Sequence, residues 1–298
     1  MDLRQLEFLC ALAREKHFGR AADACAVTQP TLSARIRQLE QEMGMPIVNR
    51  GSRFEGFTPE GRRILAWAQG IVQDVNGLRA EISLAKGPAS GRLRIGVIPS
   101  ALTRVTLLIS ELRGENPDLY FDVRSLSSRA IETGLREATM DLGVSYSRHL
   151  SFKAYESVSL YQESYRFLFA RHAYSPDGDS IGREEVAEKP LCLLTRNMQN
   201  RRIVSGVFAE LGLTADPVIE TDSFTHLFSQ VATGEVFSVV PEGYLQDPMF
   251  ADSLGSIAIG DPVPTNPVSL FALRRDPQSP LISLALRKAE QMLMGNAT

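Results

Sequence analysis

At 298 residues, with 44% hydrophobic and 22% charged side chains and a net charge of −3, the chain has the make-up of ordinary globular protein and is too long for a single core. No apolar run approaches the roughly 20 residues of a bilayer span. Three scattered cysteines, Cys10, Cys25 and Cys192, form neither a disulfide framework nor a metal knuckle.

The N-terminus, Met1-Asp2-Leu3-Arg4-Gln5, is amphipathic from the start and does not read as a secretion signal, so the expected location is cytoplasmic. Residues 1–58 then read as short helices and a hairpin. Leu3, Leu6, Phe8, Leu9 and Leu12 stripe a first helix, and Phe18 to Ala26 form a compact, alanine-rich second. Thr28 to Met43 form a third, ended by Gly44-Met45-Pro46, and Ile47 to Phe57 a hairpin around Gly51 and Gly56. Through residue 63, ten Lys and Arg stand against eight Asp and Glu, leaving −5 for the remainder. The slight positive excess sits where a DNA-binding module would need it.

Thr58 caps and Pro59 opens a long linker helix over residues 59–87, with Gly61 tolerated in its first turn. Ile64, Ala68, Ile71, Val75, Leu78 and Ile82 follow at steps of 4, 3, 4, 3 and 4, a heptad seam that favours a coiled-coil dimer over packing on its own domain. Residues 88–91 read as a hinge.

Beyond the hinge, strands and helices alternate. Leu93, Ile95 and Val97 begin one series, which runs through Phe121 and Val123 to Leu142-Gly143-Val144. A second series runs from Tyr165 through Leu191 to Leu194 and Val218-Ile219 to Val236–Val240. Repeated β–α units imply mostly parallel sheets, and two series imply two lobes. The last strand and helix, Val268–Leu273 and Leu281–Met294, are expected to return to the first lobe. The domains are therefore 1–58, 59–87 and 88–91, then a first regulatory lobe of 92–163 with 266–298 and a second of 164–265.

The stretch from Ala21 to Glu40 carries the most information. Ala21 and Ala22 let two helices approach closely, Val27 buries in the turn, Thr28 caps the next helix, and Pro30 fits its first turn. Leu32, Ile36, Leu39 and Met43 face inward. Gln29, Thr31, Ser33, Arg35, Arg37 and Gln38 face outward, with no acid near the helix start, as reading base edges in a major groove requires.

On these residues, with Gly44, Arg50 and Thr58-Pro59-Glu60-Gly61, the whole chain resembles the LysR-type family of bacterial transcriptional regulators. The resemblance implies a mainly α winged helix-turn-helix and a long linker helix, followed by a two-lobed α/β regulatory domain like a periplasmic binding protein. Cys25, Ile47-Val48 and Phe57 depart from the family pattern by apolar replacement, and Glu55 is an uncomfortable wing residue beside phosphate. The resemblance further implies that Gln29, Pro30, Thr31, Ser33 and Arg35 face bases, that Arg37 meets base or phosphate, and that Arg50 and Arg53 serve the wing. The implied partners are double-stranded operator or promoter DNA, a small-molecule effector, RNA polymerase, and the chain itself as a dimer and a homotetramer built as a dimer of dimers. No membrane, metal or cofactor beyond the effector is expected.

Loops at the carboxyl ends of strands carry hydroxyls: Ser100-Ala101, Ser127-Ser128, Thr195-Arg196 and Thr221. Helix N-termini with Arg196, Arg201 or Arg202 suit a small anion or carboxylate. The resemblance puts the effector cleft between the lobes and matches Ser100, Ser127, Thr195 and Thr221 to its loops. Tyr146, Phe224, His226 and Glu242 either line that cleft or pack. The four histidines form no metal or catalytic pattern, and no glycine-rich loop follows a strand, so an enzyme is not expected. Cys192 reads as a buried hydrophobe, with a lone redox sensor as the alternative.

Overall fold

The computed structural model describes residues 1–50, 54–148, 153–246, 252–260 and 265–295, and only the backbone of Arg50, Leu245, Gln246 and Gly295. The chain opens with α1 (Leu3–Glu15), fixed by a reciprocal cap in which the Gln5 amide N–H donates to Asp2 and the Asp2 amide N–H to Gln5, both at 2.8 Å. The His17 ring caps α2 (Phe18–Ala24), its Nδ1 accepting from the Gly19 amide at 3.1 Å. Thr28 caps α3 (Gln29–Met43), and Gly44, at φ 68°, ends it in the left-handed conformation that glycine adopts without penalty. Leu32, Ile36 and Leu39 are fully buried against Leu6, Leu9, Leu12, Ala21 and Ala22. A wing follows, β1 (Val48–Arg50) antiparallel to β2 (Phe54–Phe57). Glu40 ties it to α3 by accepting from the Ile47 and Val48 amides at 2.9 and 3.0 Å.

The linker helix α4 (Pro59–Leu84) starts against the base of the wing, where Thr58 Oγ1 accepts from the Gly61 amide at 2.8 Å and donates to the Pro46 carbonyl at 2.9 Å. A Cβ at Gly61 would lie 2.0 Å from the Ile47 carbonyl oxygen, so glycine there is required, not merely tolerated. The predicted seam also needs correction. Ala68 is 1% exposed and Ile64 partly buried, both packed into the helix-turn-helix core. The apolar side chains turned outward are Trp67, Ile71, Leu78 and Ile82, with Val75 half-buried among them.

The first lobe contains β3 (Gly91–Val97), α5 (Leu102–Glu115), β4 (Leu119–Ser125), α6 (Ser128–Arg136), β5 (Leu142–Tyr146) and β6 (Tyr155–Glu163). The second contains β7 (Tyr165–Ala170), β8 (Ser180–Ile181), α7 (Arg183–Glu188), β9 (Cys192–Leu194), α8 (Gln199–Ala209), β10 (Ile219–Thr221), α9 (Phe224–Ala232), β11 (Ser238–Pro241) and β12 (Leu254–Ile259). The chain then returns to the first sheet through β13 (Asn266–Leu273) and closes with α10 (Pro280–Gly295).

The sheet orders are β4-β3-β5-β13-β6 and β11-β7-β12-β8, with β9 and β10 as a separate parallel pair. β3 runs parallel to β4 and β5, as repeated β–α units require. β13 is antiparallel to β5 and β6, and β7 to β11 and β12, so the expectation of mostly parallel sheets is only half met. A strand that comes back from the other lobe enters the sheet in reverse. Two strand-to-strand crossings therefore join the lobes: β6 into β7 through Ser164, and β12 into β13. Among the described residues no helix is long and apolar enough to cross a membrane.

Candidate functional site

The first candidate surface is the outer face of α3. Gln29, Pro30, Thr31, Arg35, Arg37 and Gln38 are exposed and Ser33 half-exposed, while the opposite face is packed away. Neighbours on the surface hold these side chains in place: Arg37 donates to Ser33 at 3.1 Å, Arg35 to Gln38 at 3.4 Å, and the Thr28 and Thr31 hydroxyls lie 2.9 Å apart. Arg35 also stands 3.5 Å from Asp2, a weak surface pair that a phosphate or guanine edge would displace at little cost. All the donors point away from the core and cluster toward the helix start, the geometry of a major-groove reader. Arg53 lies outside the described residues, as does the Arg50 side chain.

The regulatory candidates divide into two groups. In the first lobe Ser100 is 3% exposed and its hydroxyl lies 3.4 Å from that of Tyr146. Ser128 accepts from Ser145 at 2.8 Å, and Ser127 caps α6 by accepting from the Ala130 amide at 3.3 Å. Ala101 is fully buried in the first-lobe core, so its methyl group offers a ligand nothing. In the second lobe Thr195 and Thr221 are neighbours across β9 and β10, the Thr195 amide donating to the Thr221 carbonyl at 2.9 Å. The Thr195 hydroxyl donates to Asn197 at 2.6 Å, and Arg196 is 77% exposed. Arg201 is 4% exposed and held by the Ala215 carbonyl at 3.3 Å, with Glu220 at 3.8 Å. Burial lowers its guanidinium pKa and Glu220 opposes that shift. Phe224 is 8% exposed and stacks on Tyr244 at 4.1 Å between centroids, so it packs one lobe and presents no free face.

What joins the two groups was not anticipated from the sequence. Glu163, the last residue of β6, accepts from Tyr146 at 2.5 Å and from Tyr165 at 2.9 Å. Tyr244 donates to the Pro99 carbonyl, bridging the second lobe to the turn that holds Ser100. Burial, then the Glu163 charge, pushes the Tyr146 hydroxyl far above its usual range and keeps it a donor. The only hint in the sequence is an acid spaced between tyrosines, Tyr161-Gln162-Glu163-Ser164-Tyr165. Glu242 lies one step away, accepting from Ser164 at 2.5 Å.

A crevice of 1330 Å³ lies elsewhere, between α1, α4 and the edge of the first lobe near Arg92, Arg94 and Asp141. It mixes arginines and acids and contains none of the predicted effector residues. Among the described residues no group of His, Cys, Asp and Glu could hold a metal.

Comparison with known proteins places these surfaces in context. Residues 3–62 match the family model for the bacterial regulatory helix-turn-helix protein of the lysR family, and residues 86–293 match the LysR substrate binding domain. The hydrogen peroxide-inducible genes activator of Pectobacterium carotovorum subsp. carotovorum is 28% identical over 243 residues, 81% of this chain and 80% of that protein. Full-length OxyR from Pseudomonas aeruginosa, solved as a point variant, superposes with a TM-score of 0.77 at 25% identity, over 97% of this chain and 94% of that one. Full-length CbnR, solved in complex with its target DNA, has a TM-score of 0.65 at 19% identity over 97% and 100% of the two chains, a likeness of fold.

Proposed function

The chain belongs to the LysR family of bacterial helix-turn-helix regulators, and from that premise we propose that paired α3 helices read a dyad-symmetric DNA site under the control of a small anion or carboxylate held between the lobes. It is a DNA-binding transcriptional regulator with an effector-binding domain, not an enzyme. The observation that carries the reading is the outer face of α3, where six hydrogen-bonding side chains and Pro30 surround an acid-free helix start. The N-terminus of α6 at Ser127 and the hydroxyl of Thr195 support a carboxylate ligand, and Arg196 adds a full charge. Assembly as a dimer of dimers and contact with RNA polymerase belong to the same proposal.

A footprint of the full chain on DNA upstream of its own gene tests it, with protection of a palindromic site as the expected result. Arg35→Ala should weaken that binding by about 1–3 kcal/mol and relax preference at one base. An equal loss on every sequence, with a shallower salt dependence, would instead assign Arg35 to phosphate. For the effector, sodium carboxylates would be screened against the footprint. The double variant Ser100→Ala, Thr195→Ala should bind an effector so found about 10- to 100-fold more weakly, at roughly 1 kcal/mol per hydroxyl, and leave effector-free DNA affinity unchanged. An unaltered response would remove these loops from the site.

Relatives named for peroxide induction raise a thiol sensor as the second reading. The chain's own cysteines weigh against it. Burial pushes Cys10 up to about 12 and Cys192 up to about 11, and raises Cys25, whereas a peroxide-reactive cysteine needs an exposed thiolate.

A further inference from the structure

One acid at the junction of the lobes has its charge unanswered. Glu163 is 2% exposed, and the hydroxyls of Tyr146 and Tyr165 occupy its Oε1. Its Oε2 is buried and makes no hydrogen bond. The buried Tyr161 hydroxyl is also unpartnered, as is Nδ2 of Asn266, which pairs with Glu163 across β13 and β6. The leading influences on the carboxyl are its burial, which pushes it up, and the opposing hydroxyls of Tyr146, Ser100 and Tyr165; none is a cation. Arg104 lies over the Tyr161 ring, 5.1 Å from its centroid, and the neighbouring ion pair, Arg166 with Glu242 at 3.7 Å, is complete without Glu163. Tyr146 and Tyr165, one from each lobe, hold the carboxylate by hydrogen bonds, and burial, then the Glu163 charge, raises the hydroxyls of Tyr161 and Tyr244.

A buried carboxylate without a cation is strongly disfavoured, and a carboxylate within a group of tyrosines is the surrounding that an ammonium ion seeks. We propose that this cluster seats an alkylammonium group, so that the effector is an amine-bearing molecule and not a plain anion. Its N–H groups would satisfy Oε2 and donate to the Tyr161 hydroxyl, and its charge would answer Glu163. The cluster is closed by the Tyr244 contact to Pro99, so entry requires the lobes to part and occupancy would hold them together. This inference rests on the reading that the effector binds between the lobes.

The test is thermal unfolding of the full chain against butylammonium chloride, tetramethylammonium chloride and sodium butyrate, with ionic strength held constant. Butylammonium should raise the midpoint saturably, and tetramethylammonium, which has no N–H, less. Glu163→Gln should raise the butylammonium half-saturation at least about tenfold and leave the response to butyrate unchanged. Should Glu163→Gln fail to fold by circular dichroism, Tyr161→Phe takes its place with a smaller expected loss. No saturable shift with butylammonium, or an equal one in the variant, overturns the ammonium assignment. If butyrate alone shifts the midpoint, the interlobe reading survives that failure; if neither does, both fall.

Discussion

Gly61→Ala is expected to lower the unfolding midpoint of the helix-turn-helix module by roughly 10–20 °C and to leave the regulatory lobes intact. Two effects compete. Alanine is the better helix former by about 1 kcal/mol, and this glycine is helical, so propensity alone forecasts a gain. Against that, the added Cβ would stand 2.0 Å from the Ile47 carbonyl oxygen, 2.8 Å from its carbon and 2.9 Å from the Thr58 hydroxyl. The obstruction is backbone, which cannot rotate aside as a side chain would. That same carbonyl accepts from the Thr58 amide at 3.0 Å, so a shift that makes room breaks the join between wing and linker. Overpacking against main chain costs about 3 kcal/mol or more, which leaves a net loss of about 2–3 kcal/mol in a module whose whole stability is of order 5. Calorimetry on the full chain should show one transition moved down and a later one unmoved. An unchanged or raised first transition would mean that the helix start can slide.

The helix-turn-helix and its reading face were legible because everything that defines them is local. Thr28 and Gly44 mark the ends of α3, and Leu32, Ile36 and Leu39 mark its buried side, so the outward set follows from helical geometry alone. Gly61 shows the limit of such reasoning, since its neighbour Ile47 is distant in sequence and only the fold brings it near. The effector region was legible in part. Ser100 and Tyr146 belong together, but the residue that joins them, Glu163, looks like a solvated strand end until β13 returns to pair with β6. β6 itself was hard to see because its buried residues, Tyr155, Val158 and Glu163, follow no alternation, and a register shift opposite Val268 and Ser269 interrupts it further. Ala101 and Phe224 share loops with useful hydroxyls, and sequence could not show that their own side chains face inward.

The linker helix supplies the other large effect. A heptad pattern says that a helix has an apolar stripe, but not what covers each part of it. In α4 the N-terminal part of the predicted seam, Ile64 and Ala68, is covered by the chain's own core. From Trp67 onward the stripe turns out: Trp67 is 77% exposed, Leu78 62% and Ile82 49%, on a helix of 26 residues. Exposed apolar side chains in such a row mark a partner surface, and a second α4 has the matching stripe. Leu78→Asp with Ile82→Asp removes four apolar side chains from a pair of helices, at about 1.5 kcal/mol each before any cost of burying the new charges. The dimer dissociation constant should therefore rise by roughly a thousandfold or more, measured by sedimentation equilibrium of the full chain. DNA binding separates the remaining alternatives. If contacts between regulatory lobes still hold two copies together, the variant stays dimeric but protects half-sites unevenly, because nothing fixes the spacing of the two α3 helices. If the variant instead keeps both its dimer and its symmetric footprint and only unfolds earlier, the stripe packs on its own chain and the pairing of linker helices is wrong.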